Sequence, residues 1–136
     1  MSNPLNTIFR NQLVGKEDAN IISLSVLVHI DAIKRDACTD VGRDWIARNI
    51  LTAALVGKSA KSKRLEGLAI AAYNALYAAA QRTGEMLRFT TGEYKTVMAL
   101  FRAYLPMLPT LKLGIMSDSS RNAAAIYAGE RGRICA

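Results

Sequence analysis

Gly57-Lys58-Ser59, followed closely by Lys61, Lys63 and Arg64, is the stretch whose residue types could do the most chemistry. A glycine, two hydroxyls and four cations fall within a few residues of one another, and these are the ingredients of a phosphate grip. A phosphate-wrapping P-loop also needs a glycine five positions earlier, after a buried strand and before a helix. Position 52 is Thr52, and the residues before Gly57 follow a helical pattern, so nucleotide hydrolysis is not expected here. What remains is charge. Residues 1–57 hold six Lys/Arg and six Asp/Glu, whereas residues 58–136 hold twelve and five, so the whole excess of +7 lies after Gly57. Lys61, Lys63 and Arg64 also stand where a helix begins, opposing its macrodipole. An anion bound there by the cations and the free first-turn N–H groups would relieve that conflict. A plainer reading makes Ser62 the helix cap and Glu66 the dipole's partner, with the lysines in water.

Other chemistry-bearing residues give weaker patterns. His29 is the sole histidine and is set among Val26, Val28 and Ile30, as a half-buried structural histidine would be. Asp31, Asp36, Asp40 and Asp44 alternate with Lys34, Arg35, Arg43 and Arg48, which reads as a solvated ion-pair face. Cys38 has basic neighbours but no histidine partner, and neither Cys-x-x-Cys nor Glu-x-x-His occurs. No catalytic residue, metal ligand or cofactor is therefore assigned. Of the five tyrosines, Tyr73, Tyr77, Tyr94 and Tyr104 fall at helical spacings that predict core or interface positions rather than base stacking.

The elements that must position the basic stretch are helical. Hydrophobic residues make up 51% of the 136 and charged residues 21%, a composition that can bury one core. Asn3, Pro4 and Gly15 bracket a short amphipathic arm with Leu5, Ile8, Phe9 and Leu13 on one side. From Asp18 to about Ala37, alternation of Leu24, Val26, Val28 and Ile30 competes with a helical face of Ile22, Val26, Ile30 and Ile33; helix is preferred because the alternation stops. Thr39 and Asp40 open the next helix, with Gly57 as its left-handed end. Residues 65–80 follow, with Leu65, Leu68, Ala69, Ala72, Leu76 and Ala79 on one face. A second apolar row of Ile70, Tyr73, Tyr77 and Ala80 predicts a helix central in a bundle or shared with another copy. Thr90 and Glu93 have capping-box spacing before the stripe Tyr94, Val97, Met98, Phe101 and Leu105. Pro106 and Pro109 suggest an extended crossover, and a short helix from Ser119 or Ser120 should end at Gly129.

The expected fold is therefore all-α: a single-domain helical bundle of four main helices plus short terminal helices, over residues 1–129, with a flexible basic tail at 130–136. Well-separated cysteines, no leader pattern and no apolar run of membrane length point to a reduced, cytoplasmic protein that does not enter a membrane. Gly57, Lys58, Ser59, Ser62 and Lys63, with the helical outline of about residues 40–105, resemble the small basic four-helix-bundle accessory proteins of diversity-generating retroelements. The resemblance implies an oligomer that binds nucleic acid together with a reverse transcriptase. The N-terminal part and the Pro106–Pro109 segment depart from that pattern.

The charge layout itself predicts a non-enzymatic protein that engages an anionic macromolecule, DNA or RNA backbone foremost. Lys58, Lys61, Lys63 and Arg64 are the first phosphate contacts expected, with Arg82, Arg88, Arg121, Arg131 and Arg133 as further ones. Lys95, Arg102 and Lys112 add to the same basic half. The rival expectation is a protein-interaction module, an inhibitor or adaptor docking on an acidic or nucleic-acid-binding protein, or a homo-oligomer formed through helix 65–80.

Overall fold

The computed structural model describes residues 4–83 and 86–135, with side chains for all of these except Pro4, Thr83 and 131–135. Six α-helices and one 3₁₀ segment account for nearly all of it: α1 (Pro4–Asn11), α2 (Lys16–Lys34), α3 (Asp40–Ser59), α4 (Lys63–Thr83), α5 (Thr91–Tyr104), the 3₁₀ segment (Leu105–Thr110) and α6 (Leu113–Cys135). Among the described residues the only β-type pairing is an isolated antiparallel bridge between Leu13 and Lys112. The all-α bundle is thus what the apolar spacing dictates.

Segment 18–37, where alternation competes with helical spacing, is helix through Lys34. Val26, Ile30 and Ile33 are buried on its inner face, and Ala19 extends that row. Burial of one stripe against α3 outweighs the modest β preference of Val and Ile. α2 ends in a Schellman turn: Asp36 adopts φ 54°, and the Ala37 N–H donates to the Ala32 carbonyl at 2.8 Å.

The helix at 65–80 packs against α3, α5 and α6, and it shares the centre of the bundle with α3. α3 packs against α2, α4 and α6 and buries Ile46, Ala47, Ile50, Ala53 and Val56. Two of its buried polar residues are satisfied locally, Asn49 Nδ2 donating to the Trp45 carbonyl at 2.9 Å and Thr52 Oγ1 to that of Arg48 at 2.7 Å. α4 lies antiparallel to α3, with Leu65, Ala69, Ala72, Leu76 and Ala79 buried. Tyr73, Tyr77 and Ala80 of its second row are half-buried against the same core, leaving Ile70 as the exposed member of that row. The small residues let the two backbones approach: a Cβ on Gly57 would stand 3.0 Å from the Glu66 backbone nitrogen.

α5 returns along α4 from a capping box in which the Glu93 N–H donates to Thr90 Oγ1 at 3.1 Å and the Thr90 N–H to Glu93 Oε1 at 2.8 Å. The segment after it is not the extended crossover expected from its two prolines. Pro106 occupies the first turn of a 3₁₀ helix, where its missing N–H is not needed, and the chain closes with the Leu111 N–H donating to Leu108 O at 3.2 Å. The final helix also differs from expectation: α6 begins at Leu113, passes Gly129 and continues through residues 130–135, where a tail was expected.

The antiparallel pairings set which residues share an end. Tyr127 Oη donates to Asp44 Oδ1 at 2.5 Å, while Met116 and Ser120 lie beside Asn49 and Thr52, so α6 runs against α3. The N–H groups of Val14 and Gly15 donate to Leu111 O at 2.8 Å and Pro109 O at 3.3 Å, which brings the start of α2 to the 3₁₀ segment. One pole therefore gathers the α3–α4 turn, the 3₁₀ segment and the first turns of α2 and α6. The opposite pole gathers the α2–α3 connection and the approach to α5.

Candidate nucleic-acid interface

The α3–α4 turn is built on a second Schellman closure. Ser62 N–H donates to Gly57 O at 2.8 Å, and Lys61 N–H to Lys58 O at 3.2 Å. The left-handed residue is Lys61, with φ 55°, and not Gly57, which remains inside α3 and is buried. The expectation that Gly57 ends the helix fails because its lack of a side chain is used for helix approach instead. Ser62 then caps α4, its Oγ accepting from the Leu65 N–H at 3.2 Å. That first-turn amide is accordingly taken by the protein itself, so any anion would be held chiefly by side chains.

Those side chains are Lys58, Lys61, Lys63 and Arg64, all exposed. Among the described residues none of the four forms an ion pair. Glu66 is the one nearby carboxylate of the turn and sits half-buried beside Gly57. Lys112, which is not among the contact residues expected from the sequence, is exposed and immediately precedes α6 at the same pole. Its signal in the sequence, a lone lysine between two leucines, becomes informative only once the 3₁₀ segment is known to return the chain to this pole.

The further candidates divide. Arg82 is held by Glu93 at 2.6 Å, Arg88 by Asp36 at 3.1 Å, and Arg121 by Asp118 at 2.7 Å. The hydrogen bond from Arg82, above all, keeps the Glu93 carboxyl below its ordinary range, and Arg10 does the same for Asp118. Arg82 and Arg88 also lie toward the opposite pole, so the structure does not gather them with the α3–α4 turn. The side chains of Arg131 and Arg133 lie outside the described residues.

The residues read as a solvated ion-pair face are split as well. Arg35 pairs with Asp31 in solvent, but Arg43 is buried, its side chain 9% exposed, between Asp40 at 3.2 Å and Asp44 at 3.6 Å. Tyr127 closes that cluster from α6 through its bond to Asp44. His29 is half-buried, with Nδ1 2.7 Å from Ser25 O and its ring beside Trp45. Cys38 is buried and unpaired, and burial pushes its thiol up from the ordinary value. Among the described residues no group of three or more His, Cys, Asp or Glu could hold a metal ion, and no helix is long and apolar enough to cross a membrane. No family model, curated protein or solved structure matches this chain.

Proposed function

We propose that this protein is a cytoplasmic, non-enzymatic binder of nucleic-acid backbone, and that the α3–α4 turn makes the contact. The observation that carries the reading is the set of four exposed cations, Lys58, Lys61, Lys63 and Arg64, on one short turn with no ion-pair partner among the described residues. Cations already holding a carboxylate have less to gain from phosphate, so Arg82, Arg88 and Arg121 become minor contributors. The turn presents no aromatic side chain, which favours phosphate contact over base reading. The buried thiol of Cys38 and the engaged ring nitrogen of His29 favour binding over catalysis.

Affinity for a mixed-sequence duplex, followed by fluorescence anisotropy across salt, tests the reading. Four phosphate contacts predict a log–log salt slope of about −3.6, each Lys→Gln or Arg→Gln change at the turn reducing it by about 0.9. Arg82→Gln should leave the slope nearly unchanged. Absence of binding at low salt, or equal losses from the turn and from Arg82, would reject the assignment.

A further inference from the structure

α2 is apolar on two opposite sides. Its inner row is buried, while its outer side exposes Ile21 (62%), Leu24 (64%), Leu27 (41%) and Val28 (63%), uncovered by any other described residue. Ile21, Leu24 and Val28 are separated by three and four residues, and the same spacing extends the line to Glu17 at one end and to Asp31 and Arg35 at the other. Every one of these positions is exposed. Three-four spacing of branched apolar residues between charged ends is the pattern of a helix-pairing seam.

We propose that this face pairs with α2 of a second copy, antiparallel, about a two-fold axis at the level of Val26. The charge order of the helix selects this occupant. On this face the first turn carries Glu17 and the end carries Arg35, whereas Lys34 turns to its own chain, its Nζ 4.8 Å from the centre of the Tyr94 ring. Antiparallel pairing sets Glu17 opposite Arg35 of the second copy, with Leu24 against Val28 in the middle. Parallel pairing would stack like charges at both ends. Arg35 already holds Asp31 at 3.0 Å, so Glu17 of the second copy completes a three-membered charge cluster at each end of the seam. Isologous pairing of this kind needs only self-complementarity, which the sequence of this one helix contains. An anionic polymer finds no cation along the central apolar stretch, and an anionic membrane surface meets carboxylates at Glu17, Asp18 and Asp31.

Sedimentation equilibrium between about 1 and 100 µM, the range in which a modest two-fold interface assembles, reads the outcome. The wild type should be dimeric at the upper end. Glu17→Lys and Arg35→Glu should each sediment as monomers, and an equimolar mixture of the two should recover the dimer, because only the mixed pair is complementary. Circular dichroism of each variant reports the fold, and recovery in the mixture shows that loss of pairing was not loss of structure. A monomeric wild type, undiminished dimers of either variant alone, or a mixture that stays monomeric would overturn the proposal. Loss of nucleic-acid binding with the dimer intact would count against the α3–α4 turn alone, so the two readings fail separately.

Discussion

Lys61 carries two roles that can be separated. As the left-handed residue of the α3–α4 closure it holds φ 55°, a conformation that costs a residue with a Cβ about 1 kcal/mol relative to glycine. As an exposed cation it contributes to the proposed phosphate contact. Lys61→Gly should therefore raise stability by about 0.5–1 kcal/mol in urea unfolding, the gain trimmed by glycine's freedom in the unfolded chain. The same change should weaken duplex binding and lower the salt slope by about 0.9. Stability and affinity moving in opposite directions would not follow from a general folding defect. Sequence reading located the turn and its cap at Ser62 but gave the left-handed position to Gly57, because glycine is the usual occupant. Only the spacing of the closing hydrogen bonds, Ser62 to Gly57 and Lys61 to Lys58, reveals that a lysine holds it.

At the scale of elements, the α3–α4 pair depends on the absence of a side chain at Gly57. A Cβ there would meet the Glu66 nitrogen at 3.0 Å and Leu65 Cβ at 3.2 Å, and the backbone of α4 cannot step aside as a flexible side-chain tip could. Gly57→Ala should thus destabilise the bundle by about 1–3 kcal/mol, overriding the roughly 1 kcal/mol that alanine gains in helix propensity. A shift in urea midpoint toward lower concentration checks this. Helices with a clear stripe and punctuation, such as α3 and α5, could be read directly from the sequence; the Thr90–Glu93 box is formed as its spacing requires. The start of α6 could not, because Gly114 and the preceding prolines resemble a loop. Its extension past Gly129 is similarly hidden, since an isolated exposed glycine costs a long helix only about 1 kcal/mol. The two apolar rows of helix 65–80 predict a central helix, and it packs against α3, α5 and α6, with Tyr73 and Tyr77 half-buried against the core.

For the whole molecule, the excess charge is not one continuous basic half. Arg82 and Arg88 are matched to carboxylates near one pole, and the cations of the α3–α4 turn, without an ion pair among the described residues, remain at the other. A net charge can be counted from sequence, but its local cancellation depends on helix pairings that bring Asp36 to Arg88 across the bundle. The fold also creates an alkaline limit. Burial raises the Tyr104 hydroxyl above its ordinary 10.0, and burial followed by the Asp44 hydrogen bond does the same for Tyr127. The folded state retains these protons while the unfolded chain releases them, so stability is intact below about pH 10 and falls as pH rises beyond it. Tyr104→Phe should make that decline shallower, with a change under about 1 kcal/mol at neutral pH, because among the described residues Tyr104 Oη has only Met116 Sδ, at 3.6 Å, as a partner. Urea midpoints compared at neutral pH and near pH 11 measure both effects.

The attachment of α1 has its own consequence. Its apolar residues Leu5, Ile8 and Phe9 face outward, and it is fastened mainly by Arg10 to Asp118 and by the strand-like link of Leu13 with Lys112. With so little apolar area committed, this segment should detach without unfolding the rest. Its amide deuterons should exchange far sooner than those of α3, and limited digestion should clip near residue 12 while leaving a folded remainder.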